Sequence, residues 1–417
     1  MMFAEHAREA GEARSEDLLA DAGRRERVQS SHTPRQRRVE LRSILGIGLP
    51  MAFSNMARSL SDLGVAVILG RYDTVYLAAV SVSSIWTGLT DVAMFSGLGQ
   101  LSALCSQAKG AGNMLLLGTW LQIYIVLALV ATVPLAALRW ATTPVLKAVG
   151  ISDDVAQLAG VYTKWSQAAV FFDLCFCAVK EYYAAQGITW PDAFIDAVFL
   201  VINISVVYVL VHVYRMGIVG VAIAVSINRF ARTLVYVLFC WRMGFHRDGW
   251  GGWSCKEIFV WTRWKTLLAL TIPAAIGGLA EELQFEVCAL LAARMGAVDT
   301  AAFNLVLNIF FVTLILGMSI GDATGIRMAH HIGAGNIASA KRACWLGVHI
   351  ASGSGLFFFF LCTVLFEPMA HMLSTDPAVQ HELKRQKWAA GPAIWLMSVF
   401  FHGGGSFRCS RSRADQL

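Results

Sequence analysis

The chain has 417 residues, 56% of them apolar and 15% charged, and a formal charge of +6. A soluble protein of this length carries closer to a quarter charged residues, so the composition argues against a water-soluble globular fold. The arginines lie in the N-terminal tail and in short gaps between apolar runs rather than in a basic domain, so no nucleic acid is expected as a partner.

The mean hydropathy is +0.57. About 20 consecutive apolar residues cross a bilayer as a helix, since each residue rises ~1.5 Å against a hydrocarbon core of ~30 Å. Residues 1–43 have no apolar core segment and read as a disordered or weakly helical cytosolic tail, not a signal peptide. Spans are expected at 44–69, 77–104, 115–139, 160–183, 192–213, 217–241, 266–293, 300–326, 343–366 and 388–402. They group into a six-helix bundle (44–241), a linker rich in Gly, Trp and charge (242–262), a second and incomplete bundle of about four helices (263–402) and a polar tail (403–417). The fold class is therefore all-α, a polytopic membrane protein.

Positive charge marks one side. The tail, the gap after the sixth span (Arg242, Arg247, Lys256, Arg263, Lys265) and the gap after the eighth (Arg327, Lys341, Arg342) are basic, and the opposite gaps are poorer. Lys384, Arg385 and Lys387 are the exception. The bias puts the N-terminus in the cytosol. Trp140, Trp190, Trp250, Trp253, Trp261 and Trp264 stand at run edges as interfacial anchors. The nine cysteines, mostly inside apolar runs, read as free thiols.

A repeat runs through the chain at a constant offset of 223 residues. Pro50 falls on Pro273, Arg71 on Arg294, Ser96 on Ser319, and Gly110-Ala111-Gly112-Asn113 on Gly333-Ala334-Gly335-Asn336. Pro50 and Pro273 are expected to open their spans. Six spans separate the copies, and an even number preserves orientation, so the two bundles are parallel repeats about an axis along the membrane normal.

Ionisable groups inside spans are costly and become functional candidates. The seventh span carries Glu281, Glu282 and Glu286 within two turns. Glu282 and Glu286 share one helix face, whereas Glu281 and Glu286 lie about 140° apart. Carboxylates crowded in low dielectric hold a proton near neutral pH and release it when a cation binds, which is the electrostatics of proton-coupled antiport. In the first span Asn55 and Asp62 are further candidates, with Arg58 and Asp62 spaced to neutralise each other. Asp91 and Asp173 read as lone acids, Asn203 and Asn308 as interhelical bonding residues, and the adjacent His330 and His331 as a poor metal site. No metal or cofactor is expected. Neither a Walker loop, a zinc-protease motif nor a nucleophile elbow occurs, so an enzyme and an ATP-driven pump are disfavoured.

Several motifs in order carry a resemblance: Leu49-Pro50, Leu77-Ala78-Ala79, Ser106 to Gly112, Gln186-Gly187-Ile188, Gly217 to Ala224, Gly249 to Ser254, Ile272-Pro273, Glu281 with Phe285-Glu286, and Arg327 with Gly333 to Asn336. Over residues 41–400 the chain resembles the multidrug and toxic compound extrusion (MATE) transporters, more the eukaryotic branch than the bacterial. The resemblance implies an antiporter exporting organic cations or other xenobiotics across a plasma, vacuolar or vesicular membrane, in exchange for protons rather than sodium. It implies that Glu281 and Glu286 match acids of that branch's seventh span. That family typically has twelve spans, which makes this chain an expected truncated, spliced or frameshifted product. A lipid or lipid-linked sugar flippase, and a non-transporting paralogue that associates with a full-length partner, are the competing readings.

Overall fold

The computed structural model describes residues 34–373, 380–381, 385 and 391–400. The expectations for the first 33 residues, for Lys384 and Lys387, and for the polar tail 403–417 fall outside the described residues. The described chain is all-α. Its helices are α1 (Pro34–Tyr72), α2 (Thr74–Gly110), α3 (Met114–Trp140), α4 (Thr142–Ala148), α5 (Asp153–Ser166), α6 (Val170–Ala185), α7 (Trp190–Tyr208), α8 (Gly217–Arg242), α9 (Cys255–Ile258), α10 (Trp261–Met295), α11 (Ala297–Gly333) and α12 (Ile337–Leu373), followed by a short apolar helix, α13 (Gly391–Phe400). Seven of the described helices are long and apolar enough to cross a membrane.

The repeat is visible in the helix ends. α2 and α11 begin and end at the same offset of 223 residues, and so do their turns. Gly112 and Gly335 both adopt φ +74°, the left-handed region that a residue with a Cβ avoids. Asn113 then caps α3 by accepting from the Leu116 amide (3.0 Å), and Asn336 caps α12 by accepting from the Ser339 amide (3.0 Å). The conserved spelling Gly-Ala-Gly-Asn in the two halves is thus one turn built twice.

Two expectations are corrected. Pro50 and Pro273 do not open helices but lie inside α1 and α10. The helices start well before the apolar runs, and neighbours make good the bonds that proline removes. The carbonyl that Pro50 leaves unbonded, that of Gly46, accepts from the Thr189 hydroxyl (3.3 Å). The fourth span is not one α-helix either. α5 and α6 are joined by a 3₁₀ turn, Gln167–Ala169, where the hydroxyls of Thr163 and Ser166 bond back to carbonyls of the preceding turn.

The largest apolar cluster joins α2, α3, α6, α8 and α10 around Leu101, Tyr124, Phe176, Tyr236 and Leu270, all buried. Large apolar side chains such as Val133, Val201 and Phe357 lie exposed on the outer surface, as lipid-facing positions require. α11 packs against α1, α2 and α12, while α10 packs against α2. The halves are therefore held together by the first two helices of each repeat.

Candidate functional site

The contacts between the halves come in twins. Asn55 of α1 donates to the Ser319 hydroxyl of α11 (3.1 Å). Its twin, at the same offset, is Gly278 of α10 pressed on Ser96 of α2 so closely that a Cβ would collide with the Ser96 hydroxyl. Below them Gly48 packs on Ser319, Ile320 and Ala323, and its counterpart Thr271 packs on Gly97. Nearer the N-terminal face, Gly110 abuts the His330 carbonyl and Gly333 abuts the Gln107 carbonyl. Among the described residues, these twin contacts run from the N-terminal face to the level of Asn55 and Gly278. Beyond that level Asp62 of α1 and Glu282 of α10 are exposed.

The acids of the seventh span stand just past this level on α10. Glu281 and Glu286 are half-buried, Glu282 is exposed, and the charges of Glu282 and Glu286 act on each other one turn apart. Phe285 anchors this stretch by packing edge-on against Phe311 of α11, with ring centroids 5.1 Å apart. Asn55 and Asp62 belong to a different neighbourhood, since α1 packs on α7 and α11.

That neighbourhood is a buried charge network that the sequence reading missed. The Ser54 hydroxyl donates to Asp196 (2.6 Å), which also faces Arg232 at 3.4 Å. Arg232 bonds Asp173 (2.6 Å), and Arg229 lies 3.5 Å from the same carboxylate. Lys180 pairs with Asp192 at 3.1 Å and reaches Ser54 and Asn55. Burying this much charge is tolerable only because each group meets an opposite one. The Arg232 guanidinium also sits 4.0 Å from the centre of the Phe176 ring.

Three readings change accordingly. Arg58 does not pair with Asp62; it donates to Asn55 (2.5 Å) and lies 3.7 Å from Asp196. The i,i+4 spacing allowed the local pair, but Asp196 on α7 offers Arg58 a buried acid. Asp91 and Asp173 are not lone acids: Asp91 binds Arg139, and Asp173 binds Arg232. Asn203 bonds across helices to Ser61 (2.8 Å), as its mid-span position suggested. The missed signal was the pair Arg229 and Arg232, one turn apart inside the sixth apolar run, which demands buried acids opposite.

At the N-terminal face a further bridge joins the halves. Arg327 of α11 donates through two nitrogens to the two carboxylate oxygens of Glu40 on α1, both at 2.8 Å, and His331 lies 3.3 Å from the same group. Burial alone would push the Glu40 carboxyl up. The hydrogen bonds and charges of Arg327 and His331 outweigh that and bring it down to about 2.

Known proteins share this sequence and architecture. The MatE family model matches residues 50–209 and 273–412. Multidrug and toxin extrusion protein 1 of Xenopus tropicalis is 27% identical over 344 residues, covering 82% of this chain and 59% of that protein. Protein DETOXIFICATION 9 of Arabidopsis thaliana is 26% identical over 319 residues, covering 75% of this chain and 65% of that protein. The chain therefore spans about three-fifths of the length of these relatives. The crystal structure of the eukaryotic MATE transporter AtDTX14 shares the fold, with a TM-score of 0.82 at 20% identity over 91% of this chain and 84% of that one. Two family matches, one on each of two halves that repeat at one offset, lead to a single conclusion: this chain belongs to the MatE family.

Proposed function

We propose that this chain is a proton-coupled antiporter that exports organic cations, with its N-terminal face in the cytosol of a plasma, vacuolar or vesicular membrane. The observation that carries this reading is the placement of Glu281, Glu282 and Glu286 on α10, just beyond the level of the Asn55 and Gly278 crossings. Acids at that position are reached by water from one side and leave a cationic solute a negatively charged site. Glu281 and Glu286, half-buried, are the exchange pair, in which proton and cation compete for the same charge. Asp62, acting on Arg58 and Arg229 across the first half, sets the field on the opposite wall. Rocking of 44–241 against 263–402 about the linker 242–262 then alternates access. The relatives' names, which speak of multidrug and toxin extrusion, agree with such cargo.

The test is uptake of a fluorescent organic cation into proteoliposomes of this chain under an imposed pH gradient, repeated with an imposed sodium gradient. Uptake driven by the proton gradient, and lost in Glu281→Gln and Glu286→Gln, supports the reading. Unchanged uptake in both variants removes it. A flippase for an anionic lipid is the second reading, favoured by Arg58 and Arg229, whose side chains remain 33% and 34% exposed. It predicts no cation uptake and scrambling of a labelled anionic lipid instead.

A further inference from the structure

The two repeats carry twin grooves at the N-terminal face, of about 540 Å³ and about 510 Å³. The first lies between α3 and the start of α10, the second between α12 and the start of α1. Their linings correspond at the offset of 223: Thr262 and Arg263 with Val39 and Glu40, Leu116 and Thr119 with Ser339 and Arg342. The twins differ in charge and in cover.

The first groove is electrically closed. Its Arg263 is paired with Glu257 at 2.6 Å. The linker lies across its edge, where Gln122 donates to the Gly252 carbonyl (2.8 Å) and accepts from the Ser254 amide (3.2 Å). Gln122 is accordingly 3% exposed.

The second groove is basic. Arg35, Arg37 and Arg342 stand at the positions that correspond, at the offset of 223, to Ile258, Val260 and Thr119. Among the described residues that line it the one acid is Glu40, which is bound by two nitrogens of Arg327. In the place of Gln122 stands Trp345, 65% exposed and 6.4 Å from the His349 ring. The first groove shows that the fold does not need this charge. Three arginines replacing three uncharged residues, beside an exposed tryptophan on a helix that spans the membrane, describe a receptor for a phosphate at the bilayer surface. Guanidinium forks match phosphate oxygens, and tryptophan settles at the headgroup level.

We propose that this groove binds the phosphorylated headgroup of an anionic lipid of the cytosolic leaflet. The assignment rests on the topology proposed above, with the N-terminal face cytosolic. Arg35 and Arg37 belong to the first half and Arg342 to the second, so one headgroup bridges the halves on the face where they are closed. A rival occupant is residues 26–31 of the chain itself, which correspond in position to linker residues 249–254. With the flanking Arg24 and Arg25 it carries three arginines (Arg27 is the third) against the single acid Glu26, a net positive charge that would meet three arginines, and like charge disfavours it.

The test is binding to the purified full chain in detergent, followed by thermal shift and by titration, which needs no transport and so stands or falls apart from the antiport reading. The probes are dioctanoyl phosphatidylinositol 4,5-bisphosphate, dioctanoyl phosphatidylcholine and free inositol 1,4,5-trisphosphate. The bisphosphate lipid is expected to bind and stabilise the chain. Arg35→Gln/Arg37→Gln/Arg342→Gln is expected to weaken its affinity about tenfold or more, each lost guanidinium–phosphate contact removing a charge-assisted bond. Arg342→Gln alone gives the same direction if the triple variant fails to fold. Deletion of residues 1–33 is expected to leave the affinity within about threefold, because like charge keeps that segment from competing. Variants that bind the lipid like the parent chain, a free headgroup that binds as tightly as the lipid, or a deletion that strengthens binding tenfold by vacating the groove would each overturn the proposal.

Discussion

Gly110 and Gly333 occupy equivalent places in the two repeats, and each is pressed against the backbone carbonyl of the residue three positions before the other: Gly110 on His330, Gly333 on Gln107. The contact is its own mirror under the 223-residue offset. It closes the N-terminal face with backbone against backbone, where no side chain is able to yield.

A larger residue at either glycine must therefore part α2 from α11. Gly110→Leu or Gly333→Leu is expected to shift the population toward a form open at the N-terminal face. Cys344, half-buried against Ala103 and Met328 in that region, reports it. Its maleimide labelling, mapped by peptide mass spectrometry, should rise about threefold or more, since a clash in one state shifts a two-state equilibrium toward the other. Labelling equal to that of the parent chain would mean that the contact does not set the state.

The buried network predicts a stability effect without reference to any substrate. Asp196→Asn leaves the buried Arg232 to share Asp173 with Arg229 and takes from Arg58 its nearest acid, a loss of about 3 kcal/mol, the low end for broken buried pairs. Ser54→Ala removes one hydrogen bond to the same carboxylate and should cost about 1–2 kcal/mol. The expected outcome in thermal unfolding is an ordering, with Asp196→Asn well below Ser54→Ala and both below the parent. Equal melting of all three would show that the network is not a structural element.

The repeat and the acids of the seventh span were legible in the sequence, and the network was not, for one reason. Gly-Ala-Gly-Asn, Ser96 with Ser319, and the three glutamates stand out along the chain, because each is local or recurs at a fixed spacing. Lys180, Asp192, Asp196, Arg229 and Arg232 sit on three helices, and only packing makes them a cluster. Lys180 and Asp192, near span ends, resemble interfacial charges, and Asp192 beside Pro191 resembles an ordinary first-turn acid of a helix. Arg58 shows the same limit from the other side. Its spacing to Asp62 was readable, but the acid it prefers is 138 positions away, at Asp196.

Exposure separates the three glutamates. Glu282 is exposed, whereas Glu281 and Glu286 are half-buried. Glu282→Gln is expected to keep proton-driven cation uptake within about twofold, while either of the other substitutions lowers it about tenfold or more, as loss of a charge that acts in the exchange step requires. Initial rates in proteoliposomes at a fixed pH gradient make the comparison. A Glu282→Gln rate as low as that of Glu281→Gln would place the exchange on the exposed face of α10 instead.

The Glu40–Arg327 bridge gives the N-terminal face a pH dependence of known sign. The Glu40 carboxyl is held at about 2 in the folded chain against 4.5 when free. Between those values the unfolded or separated form takes up a proton that the bridged form does not, so acid favours separation. The contribution is complete above about pH 4.5 and fades as the pH falls toward 2; by linkage it is on the order of 3 kcal/mol at its full value. The twin position of Glu40 in the other repeat is Arg263, which pairs locally with Glu257, so among the described residues the bridge is not repeated at its twin position. A double-mutant cycle of Glu40→Gln and Arg327→Gln, read as thermal stability at pH 7 and again at pH 3.5, isolates it. The coupling should be clear at pH 7 and smaller at pH 3.5. A coupling that is absent at pH 7, or that grows on acidification, would show that the two halves are not latched by this pair.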